Sequence, residues 1–213
     1  AGASFEDVFA IVYAAGRACA PVPIGETLAA GWLCSVLGVA MPDGPLGLVP
    51  RESGGLRVVG TLDDATISGV ARHVPWGRFV RHLVVEAERD DGTSIIALVE
   101  TGGGQVEPSE NMAGEPRDTV TFDAAPIVTA KEQPAGMPRD IVRMLGALMR
   151  SAQMAGAAGW VLDETLQYAN DRVQFGRPIG KLQAIQHYLA TLASRVAQAT
   201  LASEVAFKTL DGG

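Results

Sequence analysis

Apolar residues recur along this chain first at helical spacing, then in short alternating runs, then at helical spacing again. Phe5, Val8, Phe9, Val12 and Tyr13 fall three and four residues apart, which predicts a helix over residues 5–20. Ser4 stands at the N-cap with Asp7 three residues on, and Pro21 and Pro23 end the segment. Residues 24–37 are apolar almost all round, so a helix there has to be buried on most sides. Two short apolar helices cannot cover each other fully, and the sequence opens abruptly on AGAS. The expectation is that further N-terminal material or a neighbouring chain covers them.

After Met41 the pattern changes. Pro42, Gly44, Pro45, Gly47 and Pro50 mark a loop. Residues 56–62, 65–70, 79–88, 93–100 and 119–122 then read as strands. The clearest alternation is LVVEAE, closed by the hairpin signal Asp90-Asp91-Gly92. Short strands joined by glycine-rich turns predict an antiparallel sheet or barrel of about 90 residues. No strand–helix–strand alternation is present, which argues against a doubly wound nucleotide-binding sheet.

From about Pro138 the helical period returns. Ile141, Met144, Leu145, Leu148, Met149, Ala152, Ala155 and Ala158-Gly159 share one narrow face, continued by Val161, Leu162, Leu166 and Ala169. That is a helix of about 30 residues, long for a globular protein, and its small residues permit close helix approach. Residues 181–210 form a second, with Leu182, Ile185, Leu189, Leu192, Val196, Ala199 and Leu201 apolar. A short break between two long helices implies an antiparallel hairpin, and two such helices need partners to finish a bundle. The fold class is therefore α+β. A helical N-terminal segment (1–37) precedes a β-barrel-like domain (38–130) and a C-terminal helical bundle segment (138–213).

Composition narrows the functions. With 213 residues, 47% of them hydrophobic and 19% charged, the chain can fold as one large or two small units. A net charge of −7 argues against nucleic acid, whose phosphates require a basic face. The nearly uncharged run at 27–41 falls short of the roughly 20 residues a membrane helix requires. No basic stretch precedes an apolar one at the start, so no secretory signal is expected. Cys19 and Cys34 lie in Ala-rich surroundings and are expected to be buried free thiols of a cytoplasmic protein.

Most candidate chemistry reduces to structure. His73, His82 and His187 fall on different elements without ligand spacing, so no metal site is expected. Gly102-Gly103-Gly104 is followed by no Lys-Ser/Thr helix and reads as a flexible hairpin end. No Ser sits in a Gly-x-Ser-x-Gly elbow. Met144, Met149 and Met154 read as core filling, and Asp163 with Glu164 as a solvated face. What remains is the stretch QYANDRVQFGRPIGKLQAIQHYL at 167–189. Asp171 and Arg172 close one helix, Phe175-Gly176 breaks the chain, and Pro178 delays the next helix. One account makes Arg172 a dipole partner at the helix C-terminus and Phe175 a staple for the turn. The other makes the turn a surface that meets something.

Tyr168, Arg172, Gln174-Phe175-Gly176, Pro178-Ile179 and Gln183, on one helix–turn–helix, resemble the acyl-CoA dehydrogenase family. The order of helices, β middle and helices is similar to that family's three-domain architecture along the whole chain, although its chains are considerably longer. The resemblance implies a tetramer binding FAD at a subunit interface. Arg172 would reach the pyrophosphate of a neighbour's FAD, Phe175 would pack near its adenine end, and Gln183 would hydrogen-bond the same dinucleotide. A guanidinium suits phosphate oxygens, an aromatic ring a flat purine, and an amide offers donor and acceptor. The reaction implied is loss of the α-proton of an acyl-CoA with hydride passing from the β-carbon to the flavin, a step of lipid metabolism.

The sequence departs from the family at four places. In most of the family the catalytic carboxylate is a Glu in C-terminal helices beyond residue 213, and in one branch it lies on the first long C-terminal helix at a position aligning with Gly146, so no base is identified. The Trp and Thr that lie against the flavin align with His73 and Pro75, which removes one expected flavin hydrogen bond and leaves His73 as a candidate cofactor contact. The family's Thr-Glu-Pro stretch has only Ala40-Met41-Pro42 as a remnant. An Asp and an Arg that help hold CoA align with Met144 and Ala147, with Asp140 and Arg143 or Arg150 close by. Two functions are compatible with this pattern. One is an FAD-dependent acyl-CoA dehydrogenase acting as a homo- or hetero-oligomer; the other is a non-catalytic subunit contributing to a partner's FAD site.

Overall fold

The first helix, α1 (Phe5–Arg17), starts where a capping box closes. The Asp7 N–H donates to the Ser4 hydroxyl, and the Ser4 N–H donates to the Asp7 carboxylate at 2.9 Å. The helix ends before the expected residue 20 because Cys19 takes φ 46 and returns its N–H to the Gly16 carbonyl. Cys19 is thereby exposed, not buried as its Ala-rich setting predicted, whereas Cys34 is buried. The computed structural model describes residues 4–51, 55–61 and 64–211. They fall into two units, Ala1–Ala20 with Leu148–Gly213, and Pro21–Ala147.

In the first unit α1 packs with α3 (Ile141–Asp171), from Leu148 onward, and with α4 (Gln183–Asp211). Phe207 of α4 is fully buried, with the rings of Phe5 and Phe9 at 6.5 and 5.5 Å. The small-residue face of α3 does what its composition predicts. A Cβ at Gly156 would fall 2.1 Å from the Tyr13 carbonyl oxygen, and one at Gly16 would fall 2.1 Å from that of Gln153. The two backbones meet where neither helix has a side chain. Helices α3 and α4 run antiparallel, with Ser151 bonded to Ser203 at 2.8 Å and Gly180, just before α4, against Ala169. Of the apolar positions foreseen on α4, Val196 is buried, while Ala199 and Leu201 are exposed.

The second unit is a barrel with α2 (Ile24–Val36) and the first turns of α3. Its strands are β1 (Leu46–Val49), β2 (Arg57–Val59), β3 (Thr66–Pro75), β4 (His82–Arg89), β5 (Ser94–Glu100), β6 (Gly104–Glu107) and β7 (Arg117–Glu132). Five of them, in the order β4, β2, β3, β7, β5, close into a ring because β5 pairs back to β4; β1 and β6 add to its margins. The interior is filled by the alternate residues Leu83, Val85 and Ala87 of β4 and Ile95, Ala97 and Val99 of β5. Helix α2 behaves as an all-round apolar segment should, with no exposed residue between Ile24 and Cys34.

The sheet corrects several expectations. It is mixed, not antiparallel: β1 and β2 both pair parallel with β4, sharing its free edge. Strand β1 lies inside the predicted proline–glycine loop, its four residues LGLV all buried. Strand β7 is far longer than 119–122, because Asp123, Ala124 and Pro126 weaken the strand pattern while Ala124, at φ 49, makes a bulge. Strand β3 extends past residue 70 through a bulge at His73, and Phe79 lies in a 3-10 turn, not in β4. The glycine run is no flexible end: Gly104 starts β6, where a Cβ would come within 2.9 Å of the Thr121 carbonyl oxygen. Leu62, the expected end of the first strand, lies outside the described residues, as do the first three residues of AGAS.

Glu86, on the outer face of β4 and 1% exposed, accepts the Arg51 N–H at 3.2 Å and the Val142 N–H at 3.0 Å. A carboxylate from the barrel thus caps the start of α3, where negative charge is favoured. No helix among the described residues is long and apolar enough to cross a membrane.

Candidate functional site

The break between α3 and α4 is a miniature hairpin. Helix α3 ends with Arg172 still donating its N–H to the Tyr168 carbonyl at 2.9 Å. Strands β8 (Val173–Gln174) and β9 (Arg177–Pro178) pair antiparallel, Val173 with Pro178 and Gln174 with Arg177. The Ile179 N–H adds a further rung to the Arg172 carbonyl at 2.8 Å. Phe175 and Gly176 form the turn with φ 54 and 76, the two positive angles of a type I′ hairpin. A 3-10 turn, Ile179–Lys181, leads into α4, and the Gln186 amide donates back to the Gly180 carbonyl at 3.0 Å.

A left-handed conformation costs a side-chain-bearing residue roughly 1–2 kcal/mol, and a bulky aromatic there is an outlier. Phe175 recovers none of that cost by burial, being 89% exposed. The account in which it staples the turn therefore fails. Arg172 and Gln183 are exposed too, and neither side chain makes an ion pair or hydrogen bond among the described residues. The adjacent acid, Asp171, accepts instead from the Gln167 amide at 3.1 Å. The hairpin thus presents an uncommitted guanidinium, a bare aromatic ring and, in the first turn of α4, an uncommitted amide. Together these suit an anion joined to a flat ring system, the chemistry of a dinucleotide.

His73 lies elsewhere, on β3 of the barrel unit. It occupies the bulge between Ala71 and Val74 at φ 56, with its side chain exposed. Gly146 on α3 is half-buried, and a Cβ there would meet nothing within 4 Å. Arg143 forms an ion pair with Asp140, so those two serve each other. His82 is buried, with Nε2 3.9 Å from Glu100, and His187 is exposed. No group of three or more His, Cys, Asp or Glu among the described residues could hold a metal ion. The sequence did not single out Arg177; only the two-residue turn length, visible in the paired register, sets it across from Gln174.

The model of the acyl-CoA dehydrogenase C-terminal domain matches residues 144–213. The acyl-CoA dehydrogenase FadE34 of Mycobacterium tuberculosis is 31% identical over 208 residues, 95% of this chain and 28% of that one. The acyl-CoA dehydrogenase IpdE2 of Mycobacterium tuberculosis is 27% identical over 202 residues, 93% of this chain and 55% of that one. Among solved structures, the ChsE4-ChsE5 complex from Mycobacterium tuberculosis superposes with a TM-score of 0.76 at 25% identity, covering 95% of this chain and 60% of that chain. The chain belongs to the acyl-CoA dehydrogenase family. It spans about half or less of the length of these two curated relatives.

Proposed function

We propose that this chain is a subunit of an acyl-CoA dehydrogenase-type flavoprotein catalysing α,β-dehydrogenation of an acyl-CoA, with FAD as cofactor. The observation that carries the proposal is Phe175, held in the left-handed region and 89% exposed beside the unpaired Arg172. A strained, solvent-facing aromatic persists where a partner covers it. Bound FAD supplies the two-electron acceptor for the acyl thioester. The residues of this chain hold it: Arg172 at the diphosphate oxygens, Phe175 at the adenine, Gln183 at a polar group of the dinucleotide. His73, exposed on its bulge, is the barrel's own candidate contact with a flavin ring. The FAD that Arg172, Phe175 and Gln183 meet is a neighbouring subunit's, so the active form is a homo- or hetero-oligomer, built through the C-terminal helices. The free thiols suit a reducing, cytoplasmic setting.

Gly146 favours a second reading, a non-catalytic subunit of a hetero-oligomer. It carries no side chain to take the α-proton where one branch of the family has its base, and Met144 and Ala147 stand where the resemblance puts the CoA-holding Asp and Arg. The structural relative ChsE4-ChsE5 is itself a complex of two named components. Purification alone and with a co-expressed partner separates the two. Flavin absorbance at about 450 nm that bleaches with an acyl-CoA in the lone chain supports the first reading. Bleaching only in the mixed oligomer supports the second. A protein colourless in both forms would overturn the shared premise.

A further inference from the structure

Side-chain direction in the hairpin follows from its register. Successive residues of a strand face opposite sides, and directly paired residues share one side. Gln174 and Arg177, directly paired, therefore share one side, and Val173 and Pro178 occupy the other; Arg172 stands one residue before Val173, its carbonyl accepting the Ile179 N–H. Two guanidiniums and an amide are thus gathered on a hairpin only three rungs long.

The charge pattern sharpens this. The chain carries 17 Lys and Arg and a net charge of −7, and most of its cations are engaged by carboxylates or carbonyls. Six are not, among the described residues: Arg72, Lys131, Arg172, Arg177, Lys181 and Arg195. Three of those six fall within residues 172–181, and the acid beside them, Asp171, is already held by Gln167. Unneutralised cations crowded on one short hairpin of an acidic protein repel one another, and an anion relieves that repulsion.

We infer that Arg177 is a second guanidinium of the dinucleotide-diphosphate site, gripping the same phosphates as Arg172 from the opposite strand, with Lys181 adding charge from the turn before α4. This rests on the FAD reading above and extends it to residues outside the recognised motif. A diphosphate carries two adjacent charged groups, which a pair of guanidinium forks matches better than one.

The test uses the purified oligomer, stripped of flavin and titrated with FAD by calorimetry at several salt concentrations. Arg177→Ala is expected to weaken FAD binding about tenfold and to flatten its salt dependence. Arg177→Lys should recover part of the affinity, and Arg195→Ala, an unpaired cation elsewhere on α4, should change nothing. The Arg177 side chain makes no ion pair or hydrogen bond among the described residues, so native mass and circular dichroism should remain those of the parent protein. If Arg172→Ala weakens FAD binding while Arg177→Ala leaves affinity and salt slope intact, this inference falls and the FAD reading stands. If neither matters, both fall. A loss confined to CoA-thioester binding, with FAD affinity unchanged, would also overturn it.

Discussion

At the scale of single residues, Phe175 bears most directly on function. A type I′ turn wants Asn or Gly in its first central position, and this chain has an aromatic there. Phe175→Asn should stabilise the protein by about 0.5–1 kcal/mol through relief of left-handed strain, measured by urea unfolding. The same variant should retain less FAD, since the ring for the adenine is gone. A stabilised variant with full flavin content would mean that the ring serves nothing outside the fold. Phe175 and Arg172 were legible in the sequence because a motif of fixed spacing lies on one continuous segment. His73 was located by alignment alone. Its bulge, which turns it outward, depends on β7 pairing around it, and that long-range fact leaves no local trace.

At the scale of elements, the glycines of α3 make opposite predictions. Gly156→Ala drives a methyl into the Tyr13 backbone and should destabilise by about 1–3 kcal/mol. Gly146→Ala meets open space and should stabilise by up to about 1 kcal/mol through helix propensity. Equal effects in urea unfolding would contradict the close α1–α3 crossing. The capping box gives α1 a pH dependence. Bonds from the Ser4 N–H and hydroxyl hold the Asp7 carboxyl below its ordinary value. A depressed carboxylate contributes stability above its unfolded pKa and loses it as pH falls through the folded one. Asp7→Asn should therefore lower Tm at neutral pH and converge with the parent protein in acid. Lys208 acts at the other end of the scale. Glu204 and then Glu6 raise its pKa, so its contribution is complete below the ordinary lysine range and lost as pH rises through the folded value. The helices were legible because their periodicity is local, to within a few residues at each end. The strands were less so: β7 carries polar and proline positions because it serves β3, β5 and β6 in turn along its length.

At the scale of the whole molecule, the succession of helices, β middle and helices was visible in the sequence, and barrel closure was foreseen in kind. The parallel pairings of β1 and β2 with β4 were not, since alternation shows which face a residue takes and not which way a neighbour runs. Apolar side chains left bare on the first unit belong to the same account. Met154, Val161 and Tyr168 recur every seven residues along α3, at 65%, 46% and 60% exposure, and lead to Arg172. A face of that spacing suits a packed helix and is continuous with the hairpin proposed to meet a neighbour's FAD. Native mass spectrometry of the purified oligomer tests directly whether this hairpin holds FAD within an oligomer. The parent protein should appear as an oligomer carrying FAD, and Arg172→Ala as the same oligomer with FAD largely lost. FAD retained at full stoichiometry in Arg172→Ala, or absent from the parent oligomer, would contradict it.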